Sequence, residues 1–369
     1  VLKMTYLRRY LGLSTFSGKL KSCMYYSYES KSRLKTVDEL FEQLVNGNRA
    51  SLATTITLIE STRDNHKHHA DNLLSKALSH LKKLQESGKS TFRIGLTGAP
   101  GAGKSSLIEK FGKKLTSEGH KVAVLAIDPS SVKTGGSLLG DRTRMITLSH
   151  DPNAYIRPSP TAGTLGGVAR KTNEAIILCE AAGYDIILVE TVGIGQSEVA
   201  VGDMVDMFVL VIPPASGDEL QGIKKGIVEM VDLVLVNKAD GDLLPAARRI
   251  QSEYTSALKL LSRQSDIWHP KVHSVSSLLD EGFGIVWAEM TEFKNIMLQK
   301  NLFYFKRKQQ YKAWMWRILR ENIFASFTEN EKVIEQIKKH EQYVEEELMT
   351  PNMAANSVIN FFKNEKGLK

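Results

Sequence analysis

The chain has 369 residues, enough for one large α/β domain with helical extensions or for two ordinary domains. Its hydrophobic and charged shares, 42% and 24%, are those of a globular protein, and no apolar run approaches the ~18–20 residues of a membrane-spanning helix. Two cysteines, Cys23 and Cys179, exclude a disulfide scaffold and a Cys-based metal cluster.

The net charge of +8 is concentrated at the start of the chain. Residues 1–35 carry eight Lys and Arg against a single acid, Glu29, which leaves only about +1 for the rest. An acid-poor, Arg- and Ser-bearing leader of this kind is expected to be a mitochondrial transit peptide, giving a matrix location. Neither a nucleic-acid nor a membrane partner is expected.

Residues 36–90 are expected to form a helical arm. Val37, Leu40, Phe41 and Leu44 share one helical face, and Leu52, Ile56 and Ile59 continue the spacing. Thr36 and Glu39 make a capping box, and Asn46-Gly47-Asn48 breaks the pattern. The cluster His66-Lys67-His68-His69 has no Cys beside it and no flanking acidic ligand that completes a site, so it is expected on a solvated face rather than in a metal site. Ser87 to Ser90 is a linker.

Residues 91–290 have a different texture. Short apolar runs at 92–96, 121–127, 185–189, 207–212, 233–236 and 272–275 alternate with helical stretches at 105–117, 169–182, 220–231 and 244–261. Strands that are apolar throughout are buried on both faces, so the fold class is α/β, a mostly parallel sheet flanked by helices. Residues 291–369 have no further strand pattern and form a helical C-terminal extension.

Gly98-Ala99-Pro100-Gly101-Ala102-Gly103-Lys104-Ser105-Ser106 joins the first strand to a helix, and so matches the phosphate-loop pattern in its proper context. Glycines there let backbone N–H groups wrap phosphate oxygens, and the helix start adds the positive end of its dipole. Lys104 is expected at the β- and γ-phosphates, and Ser105 at Mg²⁺. Asn237-Lys238-Ala239-Asp240 leaves a later strand. A carboxylate at Asp240 can accept from guanine N1–H and N2–H₂ together, whereas adenine offers no such pair, a difference worth roughly 1–3 kcal/mol. The pattern therefore points to GTP over ATP. Glu190-Thr191-Val192-Gly193 closes another strand, with the acid placed to hold Mg²⁺ directly or through water. Asp128 and Asp141 are candidates for the metal shell or the attacking water, each with a helix cap or turn as its plainer role. Gln196 is an evenly balanced candidate for orienting that water. Ser276-Ser277-Leu278 follows the last strand, where a loop can close over the base.

The blocks GAPGAGKSS, AIDPSSVKTGGSLLGDRTRM, YIRPSPTAGTLGGVARKTNEA, LVETVGIGQSE, GDELQGIKKGI and NKADGDL resemble the MeaB/ArgK family of GTPases over about residues 40–350. That resemblance implies a P-loop NTPase fold and a GTP-hydrolysing chaperone of adenosylcobalamin-dependent methylmalonyl-CoA mutase. It also implies a homodimer formed through the C-terminal helices. By position, Gly98 to Ser106, Asn237, Lys238, Asp240 and Ser276 to Leu278 are expected to contact GTP or GDP. Lys104, Asp128, Asp141 and Glu190 are the expected catalytic set, with Ser105, Asp128 and Glu190 at Mg²⁺. Leu278 is in a loop the family varies. Two alternatives stand beside it: a nucleotide-dependent scaffold that does not hydrolyse, and a metallochaperone-type GTPase. The second needs soft or imidazole ligands near the nucleotide, whereas Cys179 is alone and the histidine cluster lies in the N-terminal arm.

Overall fold

The computed structural model describes residues 36–61, 63–128, 145–160, 165–191, 196–214, 225–260 and 267–365. Its N-terminal arm is three helices: α1 (Val37–Val45), α2 (Arg49–Glu60) and α3 (Asp64–Glu86). The capping box at α1 is formed, with Glu39 N donating to Thr36 Oγ1 at 3.2 Å and Thr36 N donating to Glu39 Oε2 at 2.9 Å. After the break, Asn48 caps α2 by accepting from Ser51 N at 3.0 Å.

A parallel α/β layer follows: β1 (Phe92–Thr97), α4 (Lys104–Ser117), β2 (Val122–Asp128), α5 (Ile146–Ser149), β3 (Ala154–Pro160), α6 (Leu165–Ala181) and β4 (Ile186–Glu190). It continues with α7 (Gln196–Gly202), β5 (Met207–Ile212), α8 (Lys225–Met230), β6 (Leu233–Val236), α9 (Leu244–Leu260) and β7 (Lys271–Ser274). The seven strands lie in the order β3-β2-β4-β1-β5-β6-β7, and every pairing is parallel. After β1 the chain moves to one side of the sheet, and after β4 it crosses to the other. The reversal falls beside β1, and in open α/β sheets ligands bind at such a switch point, at the strands' carboxyl ends.

Alternation along the strands feeds two cores. Met207, Val209 and Val211 of β5 face one cluster with Leu107, Phe111, Phe283 and Met290. Phe208, Leu210 and Ile212 face the other, built from α6, α9 and the N-terminal arm. Both faces are covered, as the unbroken apolar runs require.

One strand was not expected. β3 contains Pro158 and Pro160, residues that read against a strand because proline has no N–H for the ladder. It is tolerated because β3 is an edge that pairs with β2 alone. The helices otherwise follow the expected stretches, although 220–224 of the third lies outside the described residues.

Four further helices close the chain: α10 (Phe283–Gln299), α11 (Leu302–Thr328), α12 (Glu331–Glu345) and α13 (Pro351–Glu365). The start of α11 is fastened to the sheet by a buried charge network. Arg93 in β1 donates to Glu180 Oε1 at 2.8 Å and Oε2 at 2.6 Å. Arg307 in α11 grips Asp206 through two bonds, at 2.7 and 2.6 Å. Burial by itself would raise the Glu180 pKa, but the Arg93 and Arg307 guanidiniums prevail and hold it at about 2.

Candidate functional site

β1 is buried along its length and delivers the chain to the phosphate loop. Two glycines there are sterically obligatory. Gly98 has φ +145°, and a Cβ on it would lie 1.9 Å from the Val211 carbonyl oxygen of β5. Gly103 has φ +84°, and a Cβ on it would meet Asn237 Nδ2 at 2.5 Å. Gly103 is also the N-cap of α4, and no side chain caps that helix end. The first-turn N–H groups of α4 thus face the loop, the arrangement that binds phosphate.

Lys104 is buried, and its ammonium folds back to donate to the carbonyls of Gly98 at 2.6 Å and Ala99 at 3.0 Å. Burial lowers its pKa, and the charges of Glu190 and Glu198 oppose that shift. Ser105 Oγ donates to Glu190 Oε1 at 2.8 Å. Glu190 ends β4 directly beside Leu96 of β1, so the sheet register itself brings this acid to the first turn of α4. A hydroxyl and a carboxylate oxygen side by side are hard oxygen donors, the set that suits Mg²⁺. Ser106 is exposed on the same turn.

The guanine motif is joined to the phosphate loop by one buried side chain. Asn237 Nδ2 donates to the carbonyls of Ala102 at 2.9 Å and Gly103 at 3.2 Å. Its Oδ1 accepts from Ser277 Oγ at 2.8 Å and from Ser277 N at 3.4 Å. Asn237 therefore clamps three loops that are far apart in sequence. Lys238 is exposed and adopts φ +60°, a left-handed conformation that turns the chain sharply after β6. Ser276 Oγ donates to Asp240 Oδ2 at 2.5 Å, which fixes the carboxylate against the loop that follows β7. Leu278 is 76% exposed at the tip of that loop.

Three expected residues do not receive a side-chain placement. Asp128 ends β2, but its side chain, like that of Gln196 at the start of α7, lies outside the described residues. Asp141 lies outside them altogether. Two buried residues join the site without having been singled out beforehand. Thr97 Oγ1 donates to Glu198 Oε1 at 2.9 Å, and Thr191 Oγ1 donates to Thr97 Oγ1 at 3.0 Å. The available signal was Glu198 itself, an acid placed just before the small apolar residues of α7. A separate cavity of about 710 Å³, lined in part by Leu81, Arg93, Arg307 and Tyr311, lies at the opposite, amino-terminal end of the strands. It is no part of this site.

A parallel sheet with a phosphate loop at its switch point and an N-K-x-D loop braced against it defines a P-loop GTPase. Within that class, the chain belongs to the methylmalonyl-CoA mutase-associated GTPase MeaB family, whose model matches residues 52–332. It is 55% identical over 338 residues to the mitochondrial methylmalonic aciduria type A homolog of Mus musculus, covering 91% of this chain and 81% of that protein. It is 38% identical over 330 residues to the GTPase ArgK of Escherichia coli, covering 89% and 98%. Among solved structures, a LAO/AO transport system kinase aligns with a TM-score of 0.72 at 33% identity, over 89% of this chain and 97% of that one. The family resemblance, the fold class and GTP hydrolysis expected from the sequence are borne out.

Proposed function

We propose that this GTPase is a nucleotide-dependent chaperone of an adenosylcobalamin-dependent methylmalonyl-CoA mutase in the mitochondrial matrix, gating cofactor loading and protecting or reactivating the mutase. Two matches support it: a family model described as mutase-associated, and a mitochondrial relative at 55% identity. The structural observation that carries the nucleotide chemistry is Asn237, which makes the phosphate loop and the guanine loop one rigid unit.

In this reading Gly98 to Ser106 wrap the phosphates, and Lys104 leaves the carbonyls of Gly98 and Ala99 to meet the β- and γ-phosphates. Asp240 accepts from the guanine edge, Asn237 and Lys238 support the loop around it, and Ser276 to Leu278 close over the base. Ser105 and Glu190, together with Asp128, would hold Mg²⁺, which when bound offsets charge on the β- and γ-phosphate oxygens. Asp141 completes the catalytic set by its position in the sequence. Low intrinsic turnover is expected, with a partner that orders the segment carrying Arg142 and Arg144 supplying the missing stabilisation. By analogy that stimulation is on the order of 10³–10⁵ in rate.

The chain divides into a leader (1–35), an arm (36–90), a GTPase domain (91–290) and a C-terminal extension (291–369) that forms a homodimer. An apolar stripe on α11 supports dimerisation: Trp316, Leu319 and Ile323 share one face and are exposed, with Phe324 beside them. The test is kcat for GTP with and without the cofactor-free mutase. Stimulation by at least tenfold is expected, and an unchanged rate contradicts the chaperone assignment.

A further inference from the structure

The cavity of about 710 Å³ at the amino-terminal end of the strands is enclosed by α3 of the arm, the start of β1, the end of α6 and the first half of α11. Arg93, in its lining, precedes Gly98 by five residues, which at the rise of a strand is roughly 16 Å. The cavity is therefore separate from the nucleotide crevice. Voids left by imperfect packing seldom exceed a water molecule, whereas ligand pockets run to about 300–1,000 Å³.

Its floor carries charges that already have partners. Arg93 and Arg307 face Glu180 and Asp206 in the buried network, so none of these is left over for a ligand. The rim differs. Lys82 of α3, Lys89 of the following linker and Lys308 of α11 also line the cavity, and all three are exposed. None of them pairs with an acid among the described residues. The other lining acid, Asp185, is engaged elsewhere: it accepts from Lys121 N at 2.7 Å and pairs with His120. His80 has its pKa lowered, first by burial, and so adds no charge at neutral pH.

Between floor and rim, Leu81 and Leu84 of α3 and Tyr304 and Tyr311 of α11 supply an apolar and aromatic wall. Tyr311 accepts from Arg93 Nη2 at 3.0 Å, which leaves its own O–H to donate. Uncompensated ammonium groups over an apolar chamber fit an organic anion, its flat body inside and its phosphate or carboxylate at the mouth. The basic leader, residues 1–35, has the wrong charge to fill such a site.

We propose that this cavity is a second ligand site, for a small organic anion with a flat apolar body held by Tyr304, Tyr311, Lys89 and Lys308. Because its walls come from the arm, the sheet and the C-terminal extension, a bound molecule ties the three together. The proposal does not depend on the chaperone reading.

The test is a fluorescence titration of the full chain, saturated with GDP and Mg²⁺, with anilinonaphthalene sulfonate. Displacement by naphthyl phosphate, naphthoate and uncharged naphthol follows. One saturable site is expected, and displacement by either anion supports it, the stronger of the two naming the head group. Naphthol is expected to be about tenfold less effective. Lys89→Glu/Lys308→Glu, which alters exposed positions only, is expected to weaken dye binding about tenfold while GDP affinity stays unchanged. Ile323→Glu/Phe324→Glu, which removes the exposed stripe of α11 as a rival apolar surface, is expected to leave dye binding as it was. No saturable binding by the wild type, or equal displacement by naphthol, would overturn the proposal. Undiminished binding in the lysine variant, or lost binding in the α11 variant, would overturn it too.

Discussion

At the scale of single residues, the site depends on side chains whose loss has calculable consequences. Asp240 is held by Ser276 beside the loop that follows β7. Replacing it with Ala is expected to weaken GDP binding by about 1–3 kcal/mol, roughly five- to 150-fold. The same change should erase the preference for GDP over inosine diphosphate, which lacks the N2 amino group. Calorimetric titration of both nucleotides measures this, and a preference that survives in Asp240→Ala would assign the guanine contact elsewhere. Gly98→Ala forces a Cβ to 1.9 Å from a backbone oxygen of a central strand. Neither atom has a flexible side chain to yield, so destabilisation beyond about 3 kcal/mol is expected in denaturant melts. These positions were legible from sequence because the phosphate loop and the guanine motif combine residue type with a strand-to-loop context. Thr97 and Glu198 were not legible. A threonine ending a strand and a glutamate on a short helix have common roles elsewhere, and only the fold brings their oxygens to 2.9 Å.

At the scale of elements, apolar runs identified six of the seven strands: five are central strands that must be apolar on both faces, and the sixth, β7, is an edge whose run is short and only partly buried. β3 escaped for the opposite reason: as an edge with one partner it accommodates two prolines that would break an interior strand. α11 shows another limit of pattern reading. Its 27 residues carry basic side chains that fasten its start to the sheet and an apolar stripe farther along that faces outward. A solitary helix of this kind looks like mixed amphipathicity, and which face is covered follows only from the packing. If the stripe is the dimer contact, Ile323→Glu with Phe324→Glu is expected to halve the mass seen by light scattering while leaving GDP affinity unchanged. A dimer that persists in this variant would place the interface elsewhere.

At the scale of the whole molecule, the Arg93–Glu180 and Arg307–Asp206 pairs tie the C-terminal extension to the strand that feeds the phosphate loop. Glu180→Gln leaves a buried guanidinium without its counter-charge and is expected to cost about 3–5 kcal/mol in chemical denaturation. The same pair sets an acid limit. Glu180 has its pKa held at about 2, against an ordinary 4.5, so its stabilising share is complete above pH 4.5. That share is lost as pH falls from there toward 2. Stability of the wild type is therefore expected to decline across that window more steeply than that of Glu180→Gln. Parallel slopes in the two proteins would show that the pair does not set the limit.

Under the proposed chaperone role, nucleotide state governs engagement of a mutase client. The decisive test is capture of adenosylcobalamin-dependent methylmalonyl-CoA mutase by the chain lacking residues 1–35, loaded with GDP, with a non-hydrolysable GTP analogue, or with neither. Capture that differs between these states is the predicted result. Tight guanine-nucleotide binding with no capture in any state would keep the GTPase and contradict its assigned client.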